Sequence, residues 1–307
     1  MLRRRAYGAS YYGHGRDPSS RRGLSGYERY TRATSNADVA AYLLWRFFPA
    51  SRVLDAGCAR GFVVEALREL DVDAEGVDAS RWAVAHAPRA VAPYVRRADL
   101  TKRLPFPRES FDVVSVLETL EHVPVPLVRR AIENLRRVSR GWVVATIPSF
   151  GPNSGGPPGW LEGKVREHRV AELYALGPDF DGPIDEDDLA RDARGELVEG
   201  HVTIASYRWW TQQFEAAGFV RCEAVERRLH PHVARFGLTT AWCLYVFRLP
   251  GTRLPALDVR DAELFSARER AWGLDQRHAS SADLELLRLG GLVAAAGADV
   301  GTHAEHS

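Results

Sequence analysis

The segment Val53-Leu-Asp-Ala-Gly-Cys-Ala-Arg-Gly61 joins a short apolar run to a helical pattern through two glycines. Because glycine has no side chain, such a turn lets backbone N–H groups approach a bound anionic or polar group closely. A tight strand–helix turn without a ligand contains the same glycines, so the pair alone leaves both alternatives open. The dinucleotide pattern G-x-G-x-x-G, started at Gly57, requires glycines where this chain has Ala59 and Phe62. The segment fits the looser form acidic-x-Gly-x-(Gly/Ala)-x-Gly, with Asp55 as its acidic residue.

Short β-branched runs alternate with helical patterns around this segment. The predicted strands cover residues 52–56, 74–77, 94–97, 111–116 and 142–147. The predicted helices cover residues 62–70, 81–87 and 126–138. Strands that alternate with helices form a parallel sheet with helices on both faces. The sequence therefore predicts an α/β fold.

Further elements are predicted outside this region. A helical pattern begins after Ser35 or Asn36, either of which is a suitable N-cap, and ends before Pro49. Residues 148–205 are a long connection, rich at first in glycine and proline, and a connection of that length is usually functional or mobile. Its acidic run at 185–188 is interpreted as a solvated loop. A helix over 206–217, strands near 219–225 and 240–248, and an amphipathic helical region over 262–289 follow.

Composition restricts the classes of partner. The chain has 307 residues and a formal net charge of +1, from 41 basic and 40 acidic residues. This balance gives no reason to expect a nucleic acid or an anionic membrane as the main partner. No run of about 18 apolar residues is present, so no membrane span is predicted. Three widely separated cysteines without a C-x-x-C pair favour a reducing, cytoplasmic setting. The sequence does not specify an oligomeric state.

Four further motifs follow the glycine segment in order. They are Glu75-Gly-Val-Asp78-Ala-Ser, Ala98-Asp99-Leu100, Leu104-Pro-Phe-Pro-Arg-Glu-Ser-Phe-Asp112-Val-Val and Leu117-Glu-Thr-Leu-Glu-His-Val123. Each motif alone is weak. In this order and at these separations, over about residues 52–147, they resemble the motifs of class I S-adenosylmethionine (SAM)-dependent methyltransferases. The predicted helix before Ala217-Gly-Phe219, with the two strands after it, is similar to the C-terminal helix and hairpin of that family.

The resemblance implies a three-layer fold with a seven-stranded, mostly parallel sheet and an antiparallel C-terminal hairpin. It divides the chain into an N-terminal arm at 1–34, a methyltransferase domain at 35–250 with an acceptor-side insertion at about 148–205, and a C-terminal helical extension and tail at 251–307. SAM is the implied cofactor. The residues implied to bind it are Asp55, Gly57, Ala59, Gly61, Asp78, Ala79, Asp99, Leu100 and Glu118. Of these, Asp78 is expected at the ribose and Asp99 at the adenine.

Methyl transfer to a hydroxyl group needs a base or a metal ion in addition to in-line placement. The residues expected to supply it are Glu121, His122 and His201, since a histidine pKa lies near neutrality. In some relatives, the ubiquinone-pathway O-methyltransferases and the small-RNA 2′-O-methyltransferases, a Glu-x-x-Glu-His sequence and a later histidine supply metal ligands. Glu118 and the three residues above match that pattern, so a divalent cation such as Mg²⁺ or Mn²⁺ is an alternative. The metal-free reading is favoured, because metal-free members also contain Glu-His-Val.

Tyrosines cluster in the N-terminal arm. Tyr11-Tyr12 and Gly26-Tyr27-Glu-Arg29-Tyr30 are similar to the preceding segment of bacterial methyltransferases from polysaccharide and natural-product pathways, which often contain Asp-Ala-Gly-Cys-Ala-x-Gly-Phe. The resemblance implies a lid that excludes water from the sulfonium, and an arm without fixed structure is the alternative. Trp160, Trp209 and Trp210 are either stacking surfaces for an acceptor or residues of the core.

The predicted function is therefore O-methylation of a small-molecule acceptor, with a sugar or secondary metabolite favoured. A SAM-binding partner subunit that does not transfer methyl groups is an alternative of a different class. An NAD-type oxidoreductase is the third hypothesis. No nucleic acid or membrane partner is expected.

Overall fold

The computed structural model describes residues 7–13, 29–48, 52–150, 163–176, 181–192, 195, 197–226, 229 and 243–253. Its helices are α1 (Ala37–Phe47), α2 (Phe62–Glu69), α3 (Arg81–Ala85), α4 (Val125–Val138), α5 (Glu167–Leu176) and α6 (Tyr207–Glu215). Its strands are β1 (Arg52–Ala56), β2 (Asp73–Asp78), β3 (Val95–Arg97), β4 (Phe111–Leu117), β5 (Ser139–Thr146), β6 (Ser149–Phe150), β7 (Ala205–Ser206), β8 (Val220–Arg221) and β9 (Leu244–Arg248). None of the helices in these ranges is both long and apolar enough to cross a lipid bilayer.

Seven of the strands form one sheet in the order β3-β2-β1-β4-β5-β9-β8. Strands β1 to β5 pair in parallel, whereas β9 is antiparallel to both β5 and β8. The register places Asp55 opposite Gly76 on one side and Ser115 on the other. The predicted seven-stranded, mostly parallel sheet with an antiparallel C-terminal hairpin is confirmed.

Helices cover both faces of the sheet and give it three layers. Residues of α1 and α2 share one hydrophobic core with one face of the strands, and residues of α4 and α6 share a second core with the other face. In α4 the fully buried positions repeat at helical spacing: Val128, Ala131, Ile132, Leu135 and Val138. Burying a side chain of this size contributes about 1.5–3 kcal/mol, so one apolar stripe is enough to fix the helix against the sheet.

Three local expectations differ from the structure. Asn36 occupies the N-cap position of α1, but its φ is +54° and its side chain caps no backbone N–H. The predicted strand over 219–225 ends after Arg221, because a helical turn over 223–226 turns Glu226 inward, where it pairs with Arg221. The insertion contains α5, which was not predicted. The predicted helical region over 262–289 lies outside the described residues.

The sheet determines where a ligand can bind. The carboxyl ends of β1, β2, β3 and β4 lead into the glycine segment and into Asp78, Ala98 and Glu118 at one edge. β1 has β2 on one side and β4 on the other, so the strand order reverses beside it. In open α/β sheets the crevice at such a reversal is the usual ligand site.

Candidate active site

The glycine segment folds into a compact loop between β1 and α2. The backbone N–H groups of Gly57 and Cys58 donate to the carbonyl oxygen of Val77 at 2.8 and 3.0 Å. Gly57 has φ +95°, and a Cβ there would lie 2.2 Å from Oγ1 of Thr119. The glycine is therefore required by both backbone conformation and space.

Asp78 ties this loop to the end of β2. Its two carboxylate oxygens accept hydrogen bonds from the backbone N–H groups of Ala59 (2.8 Å) and Ser80 (2.7 Å). Burial raises the pKa of Asp78, and these two bonds oppose that rise. Since each carboxylate oxygen can accept two hydrogen bonds, Asp78 can still receive ribose hydroxyls. Ala79 follows Asp78 and lines the crevice at the carboxyl ends of the strands.

The segment after β3 is also held in place. Oδ1 of Asp99 accepts hydrogen bonds from the backbone N–H and the hydroxyl of Thr101, at 2.9 and 2.7 Å. The side chain of Leu100 is buried, and its carbonyl oxygen accepts a bond from Asn134. Both predicted adenine-side residues therefore sit in a fixed turn at the cleft.

One open cleft of about 1690 Å³ brings these residues together. Ligand pockets are usually of about 300–1,000 Å³, so this one has room for a nucleoside cofactor and a second molecule. The predicted cofactor residues that line it are Asp55, Gly57, Ala59, Asp78, Ala79, Asp99, Leu100 and Glu118. Gly61 does not line it. Gly61 has φ +80°, and a Cβ there would lie 2.6 Å from Val95, so it serves the packing of the loop.

Asp55 is an acidic group in the sheet interior. Its carboxylate accepts a hydrogen bond from the Ser115 hydroxyl at 2.8 Å. Burial, the largest cause, raises the pKa of Asp55 to about 7; the Ser115 bond opposes the rise and the charge of Asp78 adds to it.

The Asp55→Asn variant is expected to be more stable than the native chain above pH 7. The unfolded chain loses the Asp55 proton near pH 4, whereas the folded chain keeps it until about pH 7. Between these values the folded state binds more protons, so its stability falls as the pH rises. Asparagine removes the charge and keeps an oxygen for Ser115. The gain should be about 4 kcal/mol at pH 8.5 and shrink toward pH 4.

Thermal melts of both ligand-free proteins between pH 5 and 8.5 measure this difference. Asp73→Asn, a change at an exposed aspartate, is the control and should show no such trend. A difference between Asp55→Asn and the native chain that stays constant across this range would contradict the assignment.

The turn after β4 carries the predicted catalytic groups. Glu118 has φ +46°, and its backbone N–H donates to the carbonyl oxygen of Thr146 at 2.9 Å. The carbonyl oxygen of Glu121 accepts hydrogen bonds from the backbone N–H groups of Val202 and Thr203. These bonds attach the end of the insertion to the turn and bring His201 toward it.

Glu121 is fully buried. Neither of its carboxylate oxygens has a hydrogen-bond partner among the described residues. One of them lies 3.8 Å from Nε2 of His122. Burial and the nearby Glu118 raise the pKa of Glu121 well above its usual range. A buried carboxyl without partners points to a proton, a cation or a ligand group beside it.

His122 is held at both ring nitrogens. Nδ1 lies 2.9 Å from the carbonyl oxygen of Gly200, and Nε2 lies 3.1 Å from the hydroxyl of Tyr11. Because a carbonyl oxygen only accepts, Nδ1 carries the proton and Nε2 offers its lone pair. Burial lowers the pKa of His122 to about 4, and the Gly200 bond opposes that change. The imidazole is therefore neutral near pH 7.

His201 packs edge-on against the His122 ring, with 5.2 Å between the ring centroids. It is buried, and its Nδ1 has no hydrogen-bond partner among the described residues. Burial holds the pKa of His201 well below its usual range, and electrostatic repulsion from the Lys164 ammonium, and from His122 when it is protonated, adds to this effect.

Three of the four residues that match the relatives' metal-ligand pattern come together. Glu121, His122 and His201 each offer one ligand atom, and these atoms lie within 4.8 Å of one another. Glu118 lies outside this group, and its carboxylate accepts a hydrogen bond from the thiol of Cys243 at 3.5 Å.

Sequence reasoning did not assign four of the groups that line the cleft: Tyr7 from the arm, Trp82 from the start of α3, and Lys164 and Glu199 from the insertion. Tyr11, Tyr12 and Tyr30, which the resemblance placed in a lid, line the same cleft. The Lys164 ammonium lies 3.3 Å from a Glu199 carboxylate oxygen. Of the predicted stacking tryptophans, Trp210 is fully buried in the core beside α4, Trp209 packs against the same core, and Trp160 lies outside the described residues.

Comparison with known proteins gives one family. The family model described as a methyltransferase domain matches residues 27–223. The ubiquinone biosynthesis O-methyltransferase of Albidiferax ferrireducens is 34% identical over 110 residues, which are 34% of this chain and 43% of that relative. The protein of the same name from Hahella chejuensis is 34% identical over 88 residues, 25% of this chain and 35% of that relative. The chain thus spans less than half the length of these curated relatives.

Among solved structures, a SAM-dependent methyltransferase from Mesorhizobium loti is 21% identical with a TM-score of 0.42. The match covers 74% of this chain and 100% of that one. A likeness at this identity and TM-score says nothing about the acceptor or the reaction.

Proposed function

The chain belongs to the class I SAM-dependent methyltransferase family, and we propose that it transfers the methyl group of SAM to a hydroxyl group of a small molecule. One observation carries the proposal. A single cleft is lined both by the glycine loop with Asp78 and by a buried, neutral His122 whose Nε2 offers a lone pair. A cofactor site and a proton acceptor therefore share one space.

The residues present fit SAM. The main-chain groups of the glycine loop, which has no bulky side chains, suit the methionine portion. The Asp78 carboxylate has unused lone pairs that suit the ribose hydroxyls, and the turn at Asp99 suits the adenine. When bound, SAM supplies an electrophilic methyl group on a positively charged sulfur. The loop, Asp78 and Asp99 bind and orient it, which is the larger part of the work in a displacement of this kind.

His122 acts on the acceptor. His122 would take the proton of the acceptor hydroxyl at Nε2 while the electrons of that O–H bond stay on oxygen, which would accept the methyl group that SAM supplies. The products would be a methyl ether, S-adenosylhomocysteine and an imidazolium. The carbonyl oxygen of Gly200, which accepts from Nδ1 at 2.9 Å, stabilises that imidazolium.

A hydroxyl on a sugar or a natural product is the proposed acceptor. The relatives named above carry O-methyltransferase in their names, which supports oxygen as the methylated atom. The polar groups of Lys164, Glu199 and His201 line the same cleft, which suits an acceptor with several hydroxyl groups. A cytoplasmic location and the absence of nucleic acid and membrane partners remain predictions from composition.

The test is methyl transfer from labelled SAM to a panel of catechols, substituted hydroquinones, free hexoses and nucleotide-linked hexoses. We expect one class to be methylated at oxygen and S-adenosylhomocysteine to accumulate in equal amount. Binding of SAM without turnover across the panel would favour the partner-subunit alternative. Tighter binding of NAD than of SAM in calorimetry would favour the oxidoreductase.

A metal-assisted form of the same reaction is the second candidate, and the bare carboxylate of Glu121 is the observation that favours it. One carboxylate and two imidazoles form a donor set that suits Mn²⁺, Fe²⁺ or Zn²⁺ better than Mg²⁺. His122 would ligate through Nε2 while Nδ1–H donates to Gly200, a common arrangement for metal-bound histidine. A cation there would lower the pKa of the acceptor hydroxyl. In both forms the Tyr11 hydroxyl has to leave Nε2, so its hydrogen bond to that nitrogen favours neither form.

Metal removal separates the two forms. In the metal-assisted form, the purified chain should contain close to one metal ion per molecule, and Glu121→Gln should lose it. In the metal-free form, EDTA should leave both activity and melting temperature unchanged. Metal content measured by mass spectrometry is the readout that does not depend on finding an acceptor. The control is Glu186→Gln, which changes an exposed residue of the insertion and should leave the metal content unchanged.

A further inference from the structure

Residues 7–13 of the arm are attached to the cofactor side of the cleft. The Ser80 hydroxyl donates to the carbonyl oxygen of Tyr7 at 2.6 Å, and Ser80 itself donates its backbone N–H to Asp78. The Tyr12 ring stacks on Trp82, with centroids 5.3 Å apart and an angle of 18°. The arm is thus held by the residues that follow the predicted ribose-binding carboxylate.

The same short segment reaches the catalytic side of the cleft. The Tyr11 hydroxyl lies 3.1 Å from Nε2 of His122, and the two rings meet edge-on at 6.0 Å. Because Nδ1 carries the ring proton, the Tyr11 hydroxyl donates and Nε2 accepts. A Cβ at Gly200 would lie 3.5 Å from the Tyr11 ring and 3.6 Å from Nδ1 of His122. Arm, catalytic turn and insertion therefore meet at this histidine.

We propose that Tyr11 is a positioning residue for methyl transfer, acting through His122. The inference rests on the proposed function, in which Nε2 takes the acceptor proton. One hydrogen bond to Gly200 selects the tautomer but leaves the ring free to tilt about that bond. A second hydrogen bond, at the opposite nitrogen, fixes the plane of the ring and the direction of its lone pair. The acceptor hydroxyl then replaces the Tyr11 hydroxyl at a nitrogen that already has the required orientation.

Nitrogen NMR of the full chain tests the contact without an acceptor. In protein labelled with ¹⁵N-histidine and saturated with S-adenosylhomocysteine, the Nε2 signal of His122 is identified by its loss in His122→Asn. We expect Tyr11→Phe to move this signal downfield, toward the position of a nitrogen that receives no hydrogen bond. The matched control is Tyr7→Phe, because the Tyr7 ring also contacts His122 at 5.6 Å but its hydroxyl has no partner among the described residues. The signal should stay in place in that control.

Kinetics on the catechol or hexose acceptor that the native chain methylates test the consequence. We expect Tyr11→Phe to lower kcat about tenfold, as for the loss of one hydrogen bond, and to leave the KM for SAM unchanged. A purely structural role would move the Nε2 signal and lower the melting temperature but leave kcat at the native value. An unmoved signal, or a moved signal with native kcat, overturns the proposal. Failure of the proposed function is seen separately, as a native chain that methylates no acceptor.

Discussion

Asp78→Asn should bind S-adenosylhomocysteine about a hundredfold more weakly than the native chain. Two hydrogen bonds from ribose hydroxyls to a carboxylate contribute about 1.5 kcal/mol or more each, and about 3 kcal/mol corresponds to two orders of magnitude in Kd. The native carboxylate accepts hydrogen bonds from the backbone N–H groups of Ala59 and Ser80. The asparagine amide places its own N–H donor against one of these two groups, so that hydrogen bond is lost as well. Calorimetry with the full chain measures the affinity.

Two controls separate ribose recognition from a loosened loop. Asp73→Asn removes an exposed carboxylate at the other end of the same strand and should leave the affinity unchanged. A 2′-deoxy analogue of S-adenosylhomocysteine should bind the native chain more weakly, whereas Asp78→Asn should discriminate little between the analogue and the parent compound. If the variant still discriminates as the native chain does, Asp78 does not bind the ribose.

Much of the cofactor half of the site could be predicted because it is local in sequence. An apolar strand, an acidic residue and a glycine turn lie within residues 52–61, and strands of one parallel sheet bring their carboxyl ends to one edge. Asp78 and Asp99 were predicted from their resemblance to family motifs, and both line the cleft. Their contacts with SAM stay a prediction. The role of Gly61 was harder to predict, since a positive φ satisfies loop packing and ligand approach equally well.

The catalytic half depends on contacts that sequence spacing does not encode. Tyr11 and His122 are 111 positions apart, and His122 meets the Gly200 carbonyl across 78 positions. The turn at Glu121 is fixed by hydrogen bonds from the insertion, whose own helix α5 gave no clear period. The strand predicted beyond Arg221 failed for a related reason, because the buried pairing of Glu226 with Arg221 outweighs the local β-branched pattern.

His122→Asn should lower kcat by a factor of about 10² to 10⁴, the usual contribution of a positioned proton acceptor. The substitution is chosen because the asparagine amide can occupy the place of Nδ1 and donate to the Gly200 carbonyl, while no group remains at the place of Nε2. The turn should therefore stay attached to the insertion. We expect the affinity for S-adenosylhomocysteine to remain within about twofold of the native value, since none of the cofactor contacts described above involves the His122 ring.

The matched control is His168→Asn, which changes an exposed histidine on α5 and should leave kcat unchanged. His201→Asn ranks the two buried histidines. If His122 accepts the proton and the His201 ring only packs against the His122 ring at 5.2 Å, His201→Asn should lower kcat much less than His122→Asn does. Equal losses would instead indicate that both imidazoles hold a common cation with Glu121. A His122→Asn variant that keeps native kcat would exclude this histidine as the base, because the variant has no group at the place of Nε2 to take the acceptor proton.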